Sequence, residues 1–174
     1  MNIHPLFVHF PIGILSLYVF IEILRIRPLV RQAYYFELKA ILVFLGTVAA
    51  FLAASTGDMA EELIHAGTNS VVGKDFLPLV ERHSAYAGAT IAVFGLLAAS
   101  YVFLYLKKQG WLQKVTDNTP LVTFMNSIQH FSIPLALLGF ILITITGGLG
   151  AVLVYGKDID PIVTIIYTIF GVVT

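Results

Sequence analysis

Apolar residues gather along this chain in four long runs, at 6–26, 40–56, 85–106 and 131–154. Shorter stretches that hold most of the charge separate them. A helix needs roughly 20 predominantly apolar residues to cross a bilayer's hydrocarbon core, and the runs meet or approach that length. Within 119–129, Leu121, Phe124, Met125 and Ile128 recur at helical spacing and predict an interfacial helix leading into the fourth run. After Thr56-Gly57, residues 58–66 read as a short polar helix stopped by Gly67. Residues 161–173 are apolar but too few to cross; they fit the interface, a re-entrant segment or the surface of another subunit. The pattern predicts an all-α integral membrane four-helix bundle at 1–156, followed by a short C-terminal segment at 157–174.

Small residues form stripes on three of the runs, such as Gly46, Ala50, Ala53 and Gly57 on the second, and Ala136, Gly139 and Gly150 on the fourth. Lipid supplies no hydrophobic drive between helices, so bundles depend on close backbone approach, which small side chains permit. The same stripes would also make room for a flat macrocycle or a lipid-like tail.

Charge orients the bundle. Arg25, Arg27, Arg31, Lys39, Lys107, Lys108 and Lys114 fall between runs one and two or three and four, while the opposite end has only Lys74, Arg82 and Lys157. By the positive-inside rule the basic end is cytoplasmic. Both termini and the 57–82 connection then face outward, toward a periplasm in the inner membrane of a Gram-negative bacterium. The opening Met-Asn-Ile-His-Pro lacks the basic region of a cleavable signal peptide, so the first run is expected to remain as a span.

Composition narrows the chemistry. Of 174 residues, 58% are hydrophobic and 11% charged, where a soluble domain carries about a quarter charged residues. Ten basic and ten acidic residues balance, which removes a basic-surface argument for nucleic acid. The absence of cysteine excludes disulfides, thiolate zinc sites, thiolate-bound iron–sulfur clusters and thioether-attached haem. No phosphate loop, zinc-hydrolase helix motif or nucleophile elbow is present, so an electron carrier or complex subunit is expected rather than an enzyme. The middles of the spans carry no ionisable residue, with Glu22 near Arg25 at the cytoplasmic end, which argues against ion transport.

Imidazole is expensive at a bilayer edge and versatile as a metal ligand, so several at one end suggest a site. His4, His9, His65 and His83 belong to the outward end, and His130 to the other. His9 follows Pro5 by five residues and His83 follows Pro78 by five, so the two are expected at similar depth, about 7 Å inside helices that start on the same side. They are the expected paired ligands of a metal centre. Pro11 should free a carbonyl and bend the first helix near His9. His83 shares a helical face with Ala87, Thr90 and Phe94, where a cofactor cleft is expected. His4 and His65 are supporting candidates. Arg82 is a candidate partner for haem propionates or an imidazole, and Tyr155 a hydrogen-bond donor to the site or an interface anchor.

Together these residues resemble a bacterial membrane family, domain of unknown function 2231. Its pattern is similar to His4-Pro-Leu-Phe-Val-His9-Phe-Pro11, then Thr56-Gly57, Glu81-Arg-His83, Gly147-Gly148 and Leu153-Val154-Tyr155-Gly156. His65, His130 and residues 157–174 lie outside that pattern. The resemblance implies a four-helix membrane domain, and an association with cytochrome c-like or Rieske-type domains that suggests respiratory electron transfer. The expectation is therefore a membrane electron-transfer subunit binding haem b near the outer face, working between quinone and a periplasmic cytochrome or other carrier. The alternatives are a cofactor-free structural subunit packed with other membrane subunits, and a copper or zinc site on the same histidines.

Overall fold

The structure, a computed structural model, describes residues 4–67, 74–115, 117 and 119–171. Parts of the expected 57–82 connection and the last residues of the 161–173 segment lie outside them. Four helices are long and apolar enough to cross a membrane. They are α1 (His4–Leu24), α3 (Tyr35–His65), α4 (Leu77–Lys108) and α6 (Ser132–Tyr155). A short turn of helix, α2 (Arg27–Val30), links the first two, and α5 (Pro120–His130) leads into α6. The described residues end in α7 (Pro161–Ile166), which runs on as a wider turn through Tyr167–Gly171. Among the described residues there is no strand.

Successive long helices run in opposite directions, and α1 packs on α3, α3 on α4, α4 on α6 and α6 on α1. This closes an up-down-up-down bundle around Leu15, Tyr18, Val43, Phe94, Leu97, Tyr101 and Ala136. The small-residue stripes serve close approach in its middle. A Cβ added at Gly46 would meet Leu15 at 2.5 Å, and one at Gly139 would meet the Phe94 ring at 2.6 Å.

Helix limits follow sequence signals at several ends. Pro78 stands in the first turn of α4 and Pro120 in that of α5, where a missing N–H costs nothing. Asp160 caps α7 by accepting from the Ile162 and Val163 backbone amides. One local expectation changes. The expected separate helix at 58–66 is the continuation of α3, which passes through Thr56-Gly57 unbroken. Pro11 lies inside α1, one turn past Phe7.

The lengths matter for the site. At 1.5 Å per residue, the 31 and 32 residues of α3 and α4 outrun a hydrocarbon core of about 30 Å. His4 lies beside Ala53, Gly57 and His83, so both helices extend past it, and the overhang adds Asp58, Glu61 and Val80 to the wall of a recess. The C-terminal segment packs back on its own chain. Ile166 lies over Gly148, Phe170 stands edge-on to Tyr86, and Arg82 Nη1 donates to the Phe170 carbonyl at 3.3 Å.

Candidate histidine site

The recess is a cavity of about 390 Å³ between α1, α3, α4 and α6, at the end where α1 begins and α6 ends. Its wall is mostly apolar, with His4, His9, Asp58, Glu61, His83, Ser84, Thr90, Thr146 and Tyr155 as polar exceptions. Ala87 and Thr90, predicted to share the His83 face, line it. Phe94, placed on the same face, instead fills the core below.

His4 opens α1 and lies against the outer part of α3. Its Nδ1 stands 3.0 Å from the Ala53 carbonyl oxygen and 3.1 Å from the Thr56 hydroxyl. Thr56 donates its own hydrogen to the Ala53 carbonyl at 2.8 Å, so its oxygen is left to accept. Both neighbours of Nδ1 are therefore acceptors, which puts the proton on Nδ1 and the lone pair of the neutral ring on Nε2. Gly57 makes the seat: a Cβ there would stand 3.2 Å from His4 Cε1.

His83 repeats this design on the opposite pair of helices. Its Nδ1 donates to the Thr146 carbonyl of α6 at 2.9 Å. Its Cε1 edge lies against Gly150, where a Cβ would come within 3.1 Å. Thr90 and Thr146 are tied back to their own helices through the Tyr86 and Leu142 carbonyls, and their hydroxyls approach to 3.4 Å. The two imidazoles meet edge-on, with ring centroids 6.3 Å apart and planes at 86°.

Electrostatics favour neutral imidazole at His4, which precedes the span Phe7–Leu24. Burial lowers its pKa below the ordinary 6.5, partly offset by the Ala53 carbonyl and by the charge of Asp58.

The remaining candidates are spread more widely. His9 lies further along α1, exposed but on the cavity wall. Depth counted from the prolines pairs it with His83, but α4 begins well outside the start of α1, so the ring edge-on to His83 is that of His4. His65 is exposed near the end of α3, 3.7 Å from Glu61. Arg82 turns to the Phe170 carbonyl, and Tyr155 is largely exposed at the cavity's lip. His130, at the basic end, stands edge-on to Phe131. Among the described residues, no three His, Asp or Glu side chains converge as a metal shell.

A second polar cluster, at the basic end, was not legible in the sequence. Glu22 is 0% exposed and pairs with Lys39 at 2.8 Å, rather than with Arg25 just beyond the end of α1. Ser132 donates to its other oxygen at 2.6 Å, and Tyr101 reaches the Lys39-facing oxygen at 3.4 Å.

Fold and site define a four-span helical membrane protein with two carbonyl-anchored histidines over a cavity at one end. The chain belongs to the family domain of unknown function 2231, described as a predicted membrane protein, whose family model matches residues 1–160. Comparison with curated proteins and with solved structures found no match.

Proposed function

We propose that the protein is a membrane electron-transfer subunit that holds haem b in this cavity, with His83 and His4 as the paired ligands. The observation that carries the reading is the pair itself. Two imidazoles each hold Nδ1–H on a backbone carbonyl, and their ring centroids are 6.3 Å apart. A metal-bound histidine almost always donates its other ring N–H in this way. With metal–nitrogen bonds of roughly 2 Å, two imidazoles on opposite sides of one ion have ring centres about 6 Å apart. A macrocycle brings four nitrogens of its own, so two protein donors complete its iron. The mostly apolar cavity, about 390 Å³, falls within the range of organic-ligand pockets and suits a flat, largely apolar group.

By the positive-inside rule the histidine end faces the periplasm of a bacterial inner membrane. Electrons would pass there between a membrane quinone and a periplasmic carrier. His9, Asp58 and Glu61, on the same wall, are placed to hold polar substituents of the bound group or to meet the partner.

The test is a reduced-minus-oxidised absorption spectrum of protein purified with haem supplied. A b-type spectrum lost in His83→Ala is expected. A colourless preparation, or an unchanged spectrum in that variant, overturns the proposal. Stoichiometric copper or zinc in metal analysis would favour the ion bound directly by the same two rings.

A further inference from the structure

Helical spacing gives the outer half of α4 two adjoining faces. His83, Ala87 and Thr90 line the cavity, while Leu79, Arg82 and Tyr86, three and four residues apart, turn away from it. The outer half of α6 divides in the same way. Thr146 and Gly150 meet His83, and Ile145, Leu149 and Val152 form the next face. The C-terminal segment fills the groove between these second faces, with Val163 and Ile166 buried in it.

The histidine needs what this groove supplies. The His83 hydrogen bond joins two helices, with Nδ1 2.9 Å from the Thr146 carbonyl oxygen. A separation of α4 from α6 by about 0.5 Å would stretch it past good geometry. Lipid gives helices no hydrophobic drive to associate, so packing has to hold them. On one side of His83 the cavity takes the place of packed side chains. The packing that closes α4 on α6 at this level lies on the other side, where the C-terminal segment touches both helices.

Three contacts make the segment a clamp. Ile166 rests on the α6 backbone at Gly148, midway in the chain between Thr146 and Gly150, and a Cβ there would come within 2.6 Å of it. Phe170 stands edge-on to Tyr86 of α4, with ring centroids 5.8 Å apart. Arg82, next to His83 in the chain, donates from Nη1 to the Phe170 carbonyl at 3.3 Å. The segment lies past residues 1–160 matched by the family model, and that match gives it no role.

We propose that residues 161–171 are a positioning element of the histidine site: tied to Arg82 and seated on Gly148 through Ile166, they hold α4 against α6 and so fix the His83 imidazole on the Thr146 carbonyl. As a refinement of the histidine site this rests on the reading above, but the position of the ring is tested without haem, so the two fail separately.

Nuclear magnetic resonance of the haem-free full chain in lipid nanodiscs, with ¹⁵N-labelled histidine, reads the Nδ1–H of each ring. His83→Asn and His4→Asn assign the two signals. Ile166→Ala and Gly148→Ala should each speed exchange of the His83 proton with water about tenfold and move its signal upfield. His4, whose carbonyl partner lies on α3, should keep its signal and its exchange rate. Ile166→Val, which keeps most of the side chain, should stay near the parent. Ile162→Ala, on the outward side of α7 and 66% exposed, should change neither ring. If the first two variants do not fold, Arg82→Met, which removes the donor to Phe170 and keeps the apolar packing, should move the His83 signal in the same direction. A His83 signal unchanged in every variant that folds would overturn the proposal. So would an equal change at His4, which would report a general loosening of the bundle.

Discussion

The Cε1 edge of His83 rests on the backbone of α6 at Gly150, while Nδ1 of the same ring reaches the Thr146 carbonyl one turn away. The two contacts fix both ring position and tautomer. A Cβ at Gly150 would stand 3.1 Å from the imidazole, whereas one at Gly13, away from the cavity wall, meets nothing within 4 Å. Gly150→Val should therefore displace His83 and weaken haem binding about 10- to 100-fold, the usual cost of disturbing a ligand's supporting contacts. Gly13→Ala should bind as the parent does. Haem titration of the two variants checks this, and equal affinities would remove the seat from the explanation.

Pairing by ring contact separates His4 from the other outer histidines. His4→Ala should abolish the spectrum of two imidazoles on one iron and leave a haem with an open position. His65→Ala and His130→Ala should leave it intact, since one lies beside Glu61 and the other beside Phe131. Electron paramagnetic resonance of the oxidised variants reads the number of axial imidazoles directly. Loss of the two-imidazole signal in His9→Ala but not in His4→Ala would restore the pairing expected from depth alone.

The contrast between these histidines marks how far sequence reasoning reaches. The four spans were legible because hydropathy and length act locally, and Ala87 and Thr90 on the His83 face follow from helical spacing alone. The position of His4 opposite His83 was not legible. It depends on how far α4 and α3 extend past the start of α1, which no residue of α1 encodes. Glu22 has a similar history. Its nearest cation in sequence is Arg25, but Arg25 lies beyond Leu24, and the bundle brings Lys39 of the next long helix inward instead. The tail at 161–173 left three placements open because its composition suits them all. The room above Gly148, into which Ile166 fits, arises only once α6 is packed.

The electrostatics of His4 predict how bound haem responds to acid. A proton and iron compete for Nε2, so ligation is lost as the ring becomes imidazolium. Burial lowers the His4 pKa below 6.5, so its neutral, ligating form persists as pH falls through the ordinary imidazole value. The charge of Asp58 acts the other way, by favouring the imidazolium. Asp58→Asn should therefore lower His4 further and move acid release of haem to lower pH. Spectrophotometric titration of parent and variant checks the sign. A shift to higher pH would mean that Asp58 supports the bound group more than it charges His4.

The Glu22–Lys39 pair makes a prediction about stability. Removing one partner of a buried ion pair leaves the other charge without compensation, which costs about 3–5 kcal/mol. Lys39→Met should thus strongly destabilise the protein, because Glu22 is wholly buried and, among the described residues, keeps the Ser132 and Tyr101 hydroxyls as donors. Glu22→Gln should cost less alone, since an amide still accepts from Ser132 and Lys39 lies nearer the solvent edge. Combined with Lys39→Met it should recover much of the loss, because no uncompensated charge then remains. A double-mutant cycle measured by denaturation in detergent gives the coupling, expected at about 0.5–3 kcal/mol for residues in contact. Additive losses would mean that Glu22 and Lys39 are held independently, with the four surrounding helices fixing each in place.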